Sequence, residues 1–198
     1  MKHLDEYFAK LQKDIENRVD YKKDKDEISD EIPQESIYED IKDGKLKIKH
    51  LSLTFTEESF FDNRLLMMFP KNFFHSELKH DENNWFYRNL ESDTNFILTY
   101  VKGVTEINIK KIKKGVEDGF TASKLATKWI SEGEVLVAGK AVKYVSFINP
   151  APKESVFNFM IFPIVRDGHI VININGGENT FDIWESVGTA LIKTMQFL

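Results

Sequence analysis

The segment FNFMIFPIV, residues 157–165, is apolar at almost every position. A strand that shows water one face alternates apolar and polar side chains, so a continuous apolar run of this length marks a strand covered on both faces. RLLMMFP, residues 64–70, reads the same way. Both strands need a layer packed on each side, and this requirement restricts the architecture more than any other feature of the chain.

The neighbouring segments supply the rest of a sheet. KWISEGEVLVA turns across Ala138 and Gly139 into KAVKYVSFI. Pro150 and Pro152 mark a loop, SVFNFMIFPIV follows, and HIVININ returns from Asp167-Gly168, which predicts a tight hairpin with both turn residues at positive φ. Upstream, LKIKHLSLTF alternates with a slip near His50 that predicts a bulge or bend. NWFYRN and NFILTYV are strands separated by ESDT. Hairpins dominate, so the sheet is expected to be mainly antiparallel.

Two segments switch to helical period. Ile109, Ile112, Val116 and Phe120 line one face of a helix whose other faces carry Lys110, Lys111, Lys113 and Lys114, read as a solvated surface. At the end of the chain Phe181, Trp184, Val187, Leu191 and Met195 form a buried stripe, with Asn179 expected as cap and Asp182 near the positive end. A third stripe, Leu4, Phe8, Leu11, Ile15 and Val19, predicts an amphipathic helix over 1–19 that docks either on its own domain or on a partner.

Charge divides the chain. Residues 1–46 hold 14 Asp/Glu against 9 Lys/Arg, and the remaining residues carry 18 of each. Residues 20–46 are charge-dense and are expected to form an acidic linker, because such a run buries too little apolar surface to offset its ordering entropy; within it Ser36–Ile41 is read as a short strand or helical turn that returns to the body. Residues 47–198 are expected to form a single domain. Its neutral balance and lack of a basic stripe argue against nucleic-acid binding. The absence of cysteine excludes disulfides, thiolate metal sites and thiol nucleophiles. Asp5 and Glu6 interrupt the opening where a signal peptide needs an apolar run, and no window is apolar enough to span a membrane. A cytoplasmic location is expected.

SEGEVLVAGKAVKYVSFI, FNFMIFPIVRDGHIVININ, FDIWESVGTALIKTMQFL and, more faintly, LLMMFPKNF together resemble the PsbP-like superfamily, which includes the photosystem PsbP subunit, the Ran-binding Mog proteins and bacterial DcrB-type proteins. The likeness covers roughly 51–198. It implies an α+β fold, a three-layer α/β/α sandwich around a mainly antiparallel sheet of about six to eight strands. It also implies a small bacterial binding or accessory protein, without a shared active site from which residues carry over.

No catalytic pattern emerges from the residues themselves. There is no G-x-S-x-G elbow, no P-loop and no dinucleotide fingerprint. His75 and His80 are five apart, not the four that places two ligands on one helical face, and with Glu82 they define only an alternative reading as a hydrolytic or small-molecule site. His169 is expected to be exposed beside the Asp167-Gly168 turn, and Glu132 and Glu134 to share the face of an exposed strand. The notable excess is aromatic. Eight aromatic residues fall between Phe60 and Tyr87, and Phe73-Phe74 sits in an expected loop where one ring of the pair should be exposed. Phe73, Phe74, Trp85 and Tyr87, with Leu4, Phe8 and Leu11, are the candidate partner-binding residues, for a protein partner or a second copy. No catalytic residue, metal or cofactor is expected.

Overall fold

The computed structural model describes residues 33–198 except 75, 104–105, 122–125, 152–153 and 198, with backbone alone for 76–80 and 121. The chain divides after residue 32, and the unit Pro33–Leu198 is the one described below. The expected 1–19 helix lies outside the described residues.

Helix α1, Gln34–Lys42, begins where Pro33 presets the backbone and accepts from the amides of Ser36 and Ile37. It ends at Gly44, whose φ of 85° is the left-handed conformation that closes a helix. These residues belong to the stretch expected as linker. The physical reason for the difference is Ile37 and Ile41, four apart and both buried, which hold the helix against the domain despite its charged flanks. Strands β1 (Lys45–Ile48) and β2 (Leu51–Thr54) form an antiparallel hairpin. The slip near His50 is the turn itself, with Lys49 at φ 51°.

Strands β3 (Thr56–Phe60) and β4 (Leu65–Phe69) pair with the terminal β13 (Gln196–Phe197) in a small sheet of order β13-β4-β3. RLLMMFP is therefore central in the small sheet and not in the large one. The large sheet contains β5 (Ser76–Asp81), β6 (Asn84–Asn89), β7 (Thr94–Lys102), β8 (Lys128–Val137), β9 (Lys140–Asn149), β10 (Val156–Phe162) and β12 (Gly168–Gly177), in the order β5-β6-β7-β12-β10-β9-β8, with two-residue β11 (Ile164–Val165) paired to β12. Every pairing among the described strands of this sheet is antiparallel. The α+β, three-layer expectation holds: α2, Ile109–Thr121, packs on one face of this sheet, and α3, Phe181–Lys193, on the other.

Register decides which side chains meet each layer. Phe157, Phe159 and Ile161 of β10 lie beside Ile172 and Ile174 of β12, which lie beside Leu98 and Phe96 of β7, and all of them face α3. The whole expected stripe of α3 is buried: Phe181, Trp184, Val187, Leu191 and, just past its end, Met195. Asn179 is not its cap. A 3-10 turn, Glu178–Thr180, leads into the helix, and Thr180 stands at the cap position without a side-chain hydrogen bond to the helix. The opposite face is thinner: Val145, Phe147 and Phe162, with Ile107, are its buried members, and α2 lies on them.

The two hairpin turns have different causes. Ala138 and Gly139, at φ 49° and 79°, give the double left-handed turn whose twist matches paired strands. The Asp167-Gly168 turn was expected to be of that type, and it is not. Arg166 and Asp167 make the bend, Val165 pairs with Gly168, and neither residue of the Asp167-Gly168 dipeptide has positive φ. Gly168 is required by space, since a Cβ there would lie 2.2 Å from the carbonyl oxygen of Val101. His169, paired between Val101 and Ile164, is consequently buried and not exposed.

Gly188 tests the packing of α3. A Cβ at this position would lie 2.6 Å from two ring carbons of Phe159, which is itself fully buried and stacked on Tyr144. Helix propensity alone favours Gly188→Ala by about 1 kcal/mol. Overpacking opposes it and is expected to win, for a net loss of ~1–3 kcal/mol in urea denaturation. A variant as stable as the parent would mean that Phe159 has room to retreat.

Candidate interaction surface

The aromatic candidates are brought together, but inside the molecule. Phe73 and Phe74 are 9% and 8% exposed. The turn Pro70–Phe73, closed by the Phe73 amide on the Pro70 carbonyl, replaces the extended backbone in which neighbours point opposite ways, so both rings turn inward. Asn72 accepts from the Thr54 amide, and Asn89 donates to the Phe73 carbonyl at 2.7 Å. The rings then meet both layers: Phe73 lies 5.1 Å from Trp184, and Phe74 lies 5.7 Å from Phe96. Trp85 and Tyr87, half-buried on the same face of β6, contact Phe60 and Phe69. These rings join the small sheet to the large one, and they present no exposed aromatic patch. Leu4, Phe8 and Leu11 lie outside the described residues.

Of the alternative histidine site, the described residues include only the side chain of Glu82. Glu82 is exposed in the β5–β6 turn, where Asp81 accepts from the Asn83 amide and the Asn84 side chain. The side chains of His75 and His80 lie outside the described residues. Among the described residues no group of three or more His, Cys, Asp or Glu is placed to hold a metal ion.

Two polar clusters fasten layers. Arg64 forms a two-pronged pair with Asp167 at 3.1 and 3.3 Å, lies 4.8 Å from the centre of the Tyr100 ring, and donates to the Phe61 carbonyl. Hydrogen bonds from Arg64, then the neighbouring Tyr100 hydroxyl, lower the Asp167 carboxyl to about 2. Burial and then Asp167 raise the Tyr100 hydroxyl, and Asp167 raises Arg64 further. The loop carrying Arg64 is strained: Phe61, Asp62 and Asn63 all have positive φ, at 54°, 52° and 65°. Such a conformation costs an L-residue with a bulky side chain about 1–2 kcal/mol. Burial of Phe61 against Trp85 and Tyr100 offsets that cost.

The second cluster ties α3 to the sheet margin. Ser131 donates to Glu185 at 2.6 Å, Ser146 donates to the same oxygen at 3.1 Å, and the Ser131 amide donates to Ser146. The two hydroxyls contact each other and Glu185, and Ser146 is fully buried. The arrangement is a clamp, with no activated nucleophile.

Exposed apolar side chains lie at one margin of the large sheet. β8 ends the strand order, so its outer row of backbone groups has no strand partner in the described sheet. Its register shifts between Trp129 and Ser131. Ile130 is 38% exposed and Leu136 is 75% exposed, and Glu132 and Glu134 lie between them, as expected, on the solvent side. The candidate list omitted both apolar residues. A signal for Leu136 was present in the sequence: it shares parity with Glu132 and Glu134 along SEGEVLV, so it belongs to their solvent-facing row. On the same face, α2 is pinned beside this edge by Lys113–Glu132 at 2.5 Å and by the Trp129 indole donating to Glu117 at 2.9 Å.

This geometry has counterparts among solved structures. Cyanobacterial PsbP (CyanoP) from Synechocystis sp. PCC 6803 matches with a TM-score of 0.57 at 10% identity, over 77% of this chain and 98% of that one. The Ran-binding protein Mog1p of Saccharomyces cerevisiae matches with a TM-score of 0.50 at 13% identity, over 74% of this chain and 96% of that one. The chain thus has the PsbP/Mog1 fold, as its sequence implied. No protein-family model and no curated protein sequence matches it.

The Arg64–Asp167 pair yields a pH prediction. The folded carboxyl titrates at about 2, below the ordinary 3.8, so its contribution is complete above about pH 4 and is lost as pH falls through 2. Urea midpoints of the parent and Asp167→Asn are expected to differ most near pH 5 and to converge towards pH 2. A constant difference across that range would show that the ion pair contributes nothing to stability.

Proposed function

We propose that this protein is a non-enzymatic, cytoplasmic accessory protein that binds another protein along the β8 edge and the tip of the β8–β9 hairpin. The observation that carries this reading is the exposure of Leu136 and Ile130 on an edge strand, beside a helix lying on the same face. An edge strand offers main-chain hydrogen bonds for affinity and alternate side chains for specificity. The fold is compatible with such a role, since one protein sharing it, Mog1p, is a Ran-binding protein.

A different chain fits this edge better than a second copy does. Two β8 strands paired antiparallel about Gly133 would set Glu132 of each opposite Glu134 of the other, and like charges directly opposite are destabilising. The stripe Leu4, Phe8 and Leu11 is a second proposed contact, resting on its amphipathic spacing.

The test uses a partner isolated with the full-length chain and then purified. Leu136→Asp is expected to weaken that complex about tenfold or more, ~1.4 kcal/mol, with an unchanged circular dichroism spectrum. Binding indifferent to both Leu136→Asp and Ile130→Asp would remove the edge from the interface.

A further inference from the structure

Helix α2 has an N-cap, Asn108, which accepts from the Lys111 amide, but its charges and glycines work against it. Its first two turns carry Lys110, Lys111, Lys113 and Lys114, and its later turns carry Glu117 and Asp118. The first turn has no acidic residue and the last has no basic one, so the charges oppose the helix dipole at both ends. Gly115 and Gly119 lie within it, and a Cβ at either would meet nothing within 4 Å, so neither glycine is demanded by packing. Of residues 109–120, none is fully buried: Ile109, Ile112 and Val116 are half-buried, whereas α3 buries eight residues. The floor beneath is nonetheless apolar: Val145, Phe147 and Phe162, flanked by Trp129 and Met160. The described polar fastenings are peripheral. Lys113 pairs with Glu132 and lies 4.9 Å from the centre of the Trp129 ring, Glu117 accepts from that indole, and Lys143 donates to the Ile107 carbonyl at the helix entrance.

We propose that α2 is a displaceable cover, and that the floor beneath it is a docking site for an amphipathic helix of the partner protein. This rests on the reading of the β8 side as the interaction surface and specifies its occupant. The site's own tenant defines the chemistry: apolar residues at i, i+3 and i+7, as in Ile109, Ile112 and Val116, and a cation at i+4, where Lys113 meets Glu132 and the Trp129 ring. A helix with better propensity and unopposed dipole charges presents the same stripe without the cost that α2 carries. Because the floor adjoins the edge through Trp129 and Glu132, a partner seated on β8 extends onto it without leaving the sheet.

Two measurements on the full-length protein test the proposal. In native-state hydrogen exchange, α2 amides are expected to open separately from α3, and Gly115→Ala/Gly119→Ala is expected to slow α2 alone by about 10- to 30-fold. A labelled peptide of residues 107–121 carrying the same two alanines is expected to bind the parent saturably, and its Ile112→Asp version is expected not to bind. Exchange of α2 only through global unfolding would overturn the cover. A peptide that fails to bind a protein whose α2 does open would overturn the site. Either failure, with binding still lost in Leu136→Asp, would leave the edge-strand interface standing, so the two readings fail separately.

Discussion

Phe159 lies against the backbone of α3 at Gly188, on a sheet position flanked by Ser146 and Ile174, and the rest of the molecule is arranged around that approach. A side chain at 188 would hold helix and sheet apart. Without one, Trp184, Val187 and Leu191 reach the floor formed by β7, β12 and β10. The small sheet is then drawn to the same core, with Phe69 touching Phe96 and Phe73 touching Trp184. Helix α1 packs onto α3 from outside, where Gln34 donates to the Ser186 carbonyl and Lys193 pairs with Glu35 at 2.5 Å. Dispersion and burial on this side come mostly from aromatic rings, each a large apolar area held by few torsions.

The other face is treated differently. A sheet with one apolar face can leave the second to water, but β9 and β10 carry apolar residues on both. Val145, Phe147 and Phe162 therefore need a cover, and a half-buried, lysine-rich helix provides it. Further along the same face the sheet becomes polar: Asn95 donates to Asn175, and Asn173 donates to Asn158. Each pair shares one hydrogen bond across strands, with Asn95 Oδ1 and Asn173 Oδ1 buried without a hydrogen-bond partner among the described residues, and the amides reduce the apolar area that α2 must cover. The inequality between the faces puts the half-buried helix α2 beside the margin that carries Ile130 and Leu136, two of the three large exposed apolar residues among those described; the third, Leu90, lies in the β6–β7 turn.

Much of the fold was legible because it is periodic. The buried stripe of α3, the Ala138-Gly139 turn and the two-faced strand β10 follow from spacing and turn chemistry alone. The failures have local causes. For Ser36–Ile41 the sequence left a short strand or a helical turn open, because two isoleucines four apart are a weak periodic signal until the helix has a surface to dock on. Phe73-Phe74 looked half-exposed because alternation was assumed where the backbone bends. Asp167-Gly168 looked like a turn defined by φ, whereas Gly168 answers a steric demand from Val101, a residue 67 positions away that no local reading reveals. The exposure of Leu136 was legible only in the parity that puts it with Glu132 and Glu134. The aromatic excess drew attention first, and rings in such number are retained for the core.

The three tryptophans report on the two faces separately, since Trp129 lies under α2 while Trp184 and Trp85 belong to the aromatic core. Fluorine NMR of 5-fluorotryptophan-labelled protein through a urea titration measures them side by side. Unequal faces predict that the Trp129 resonance shifts at urea concentrations where Trp184 and Trp85 still give native signals. A single midpoint shared by all three would contradict the account, because the cover would then be as firmly held as the core.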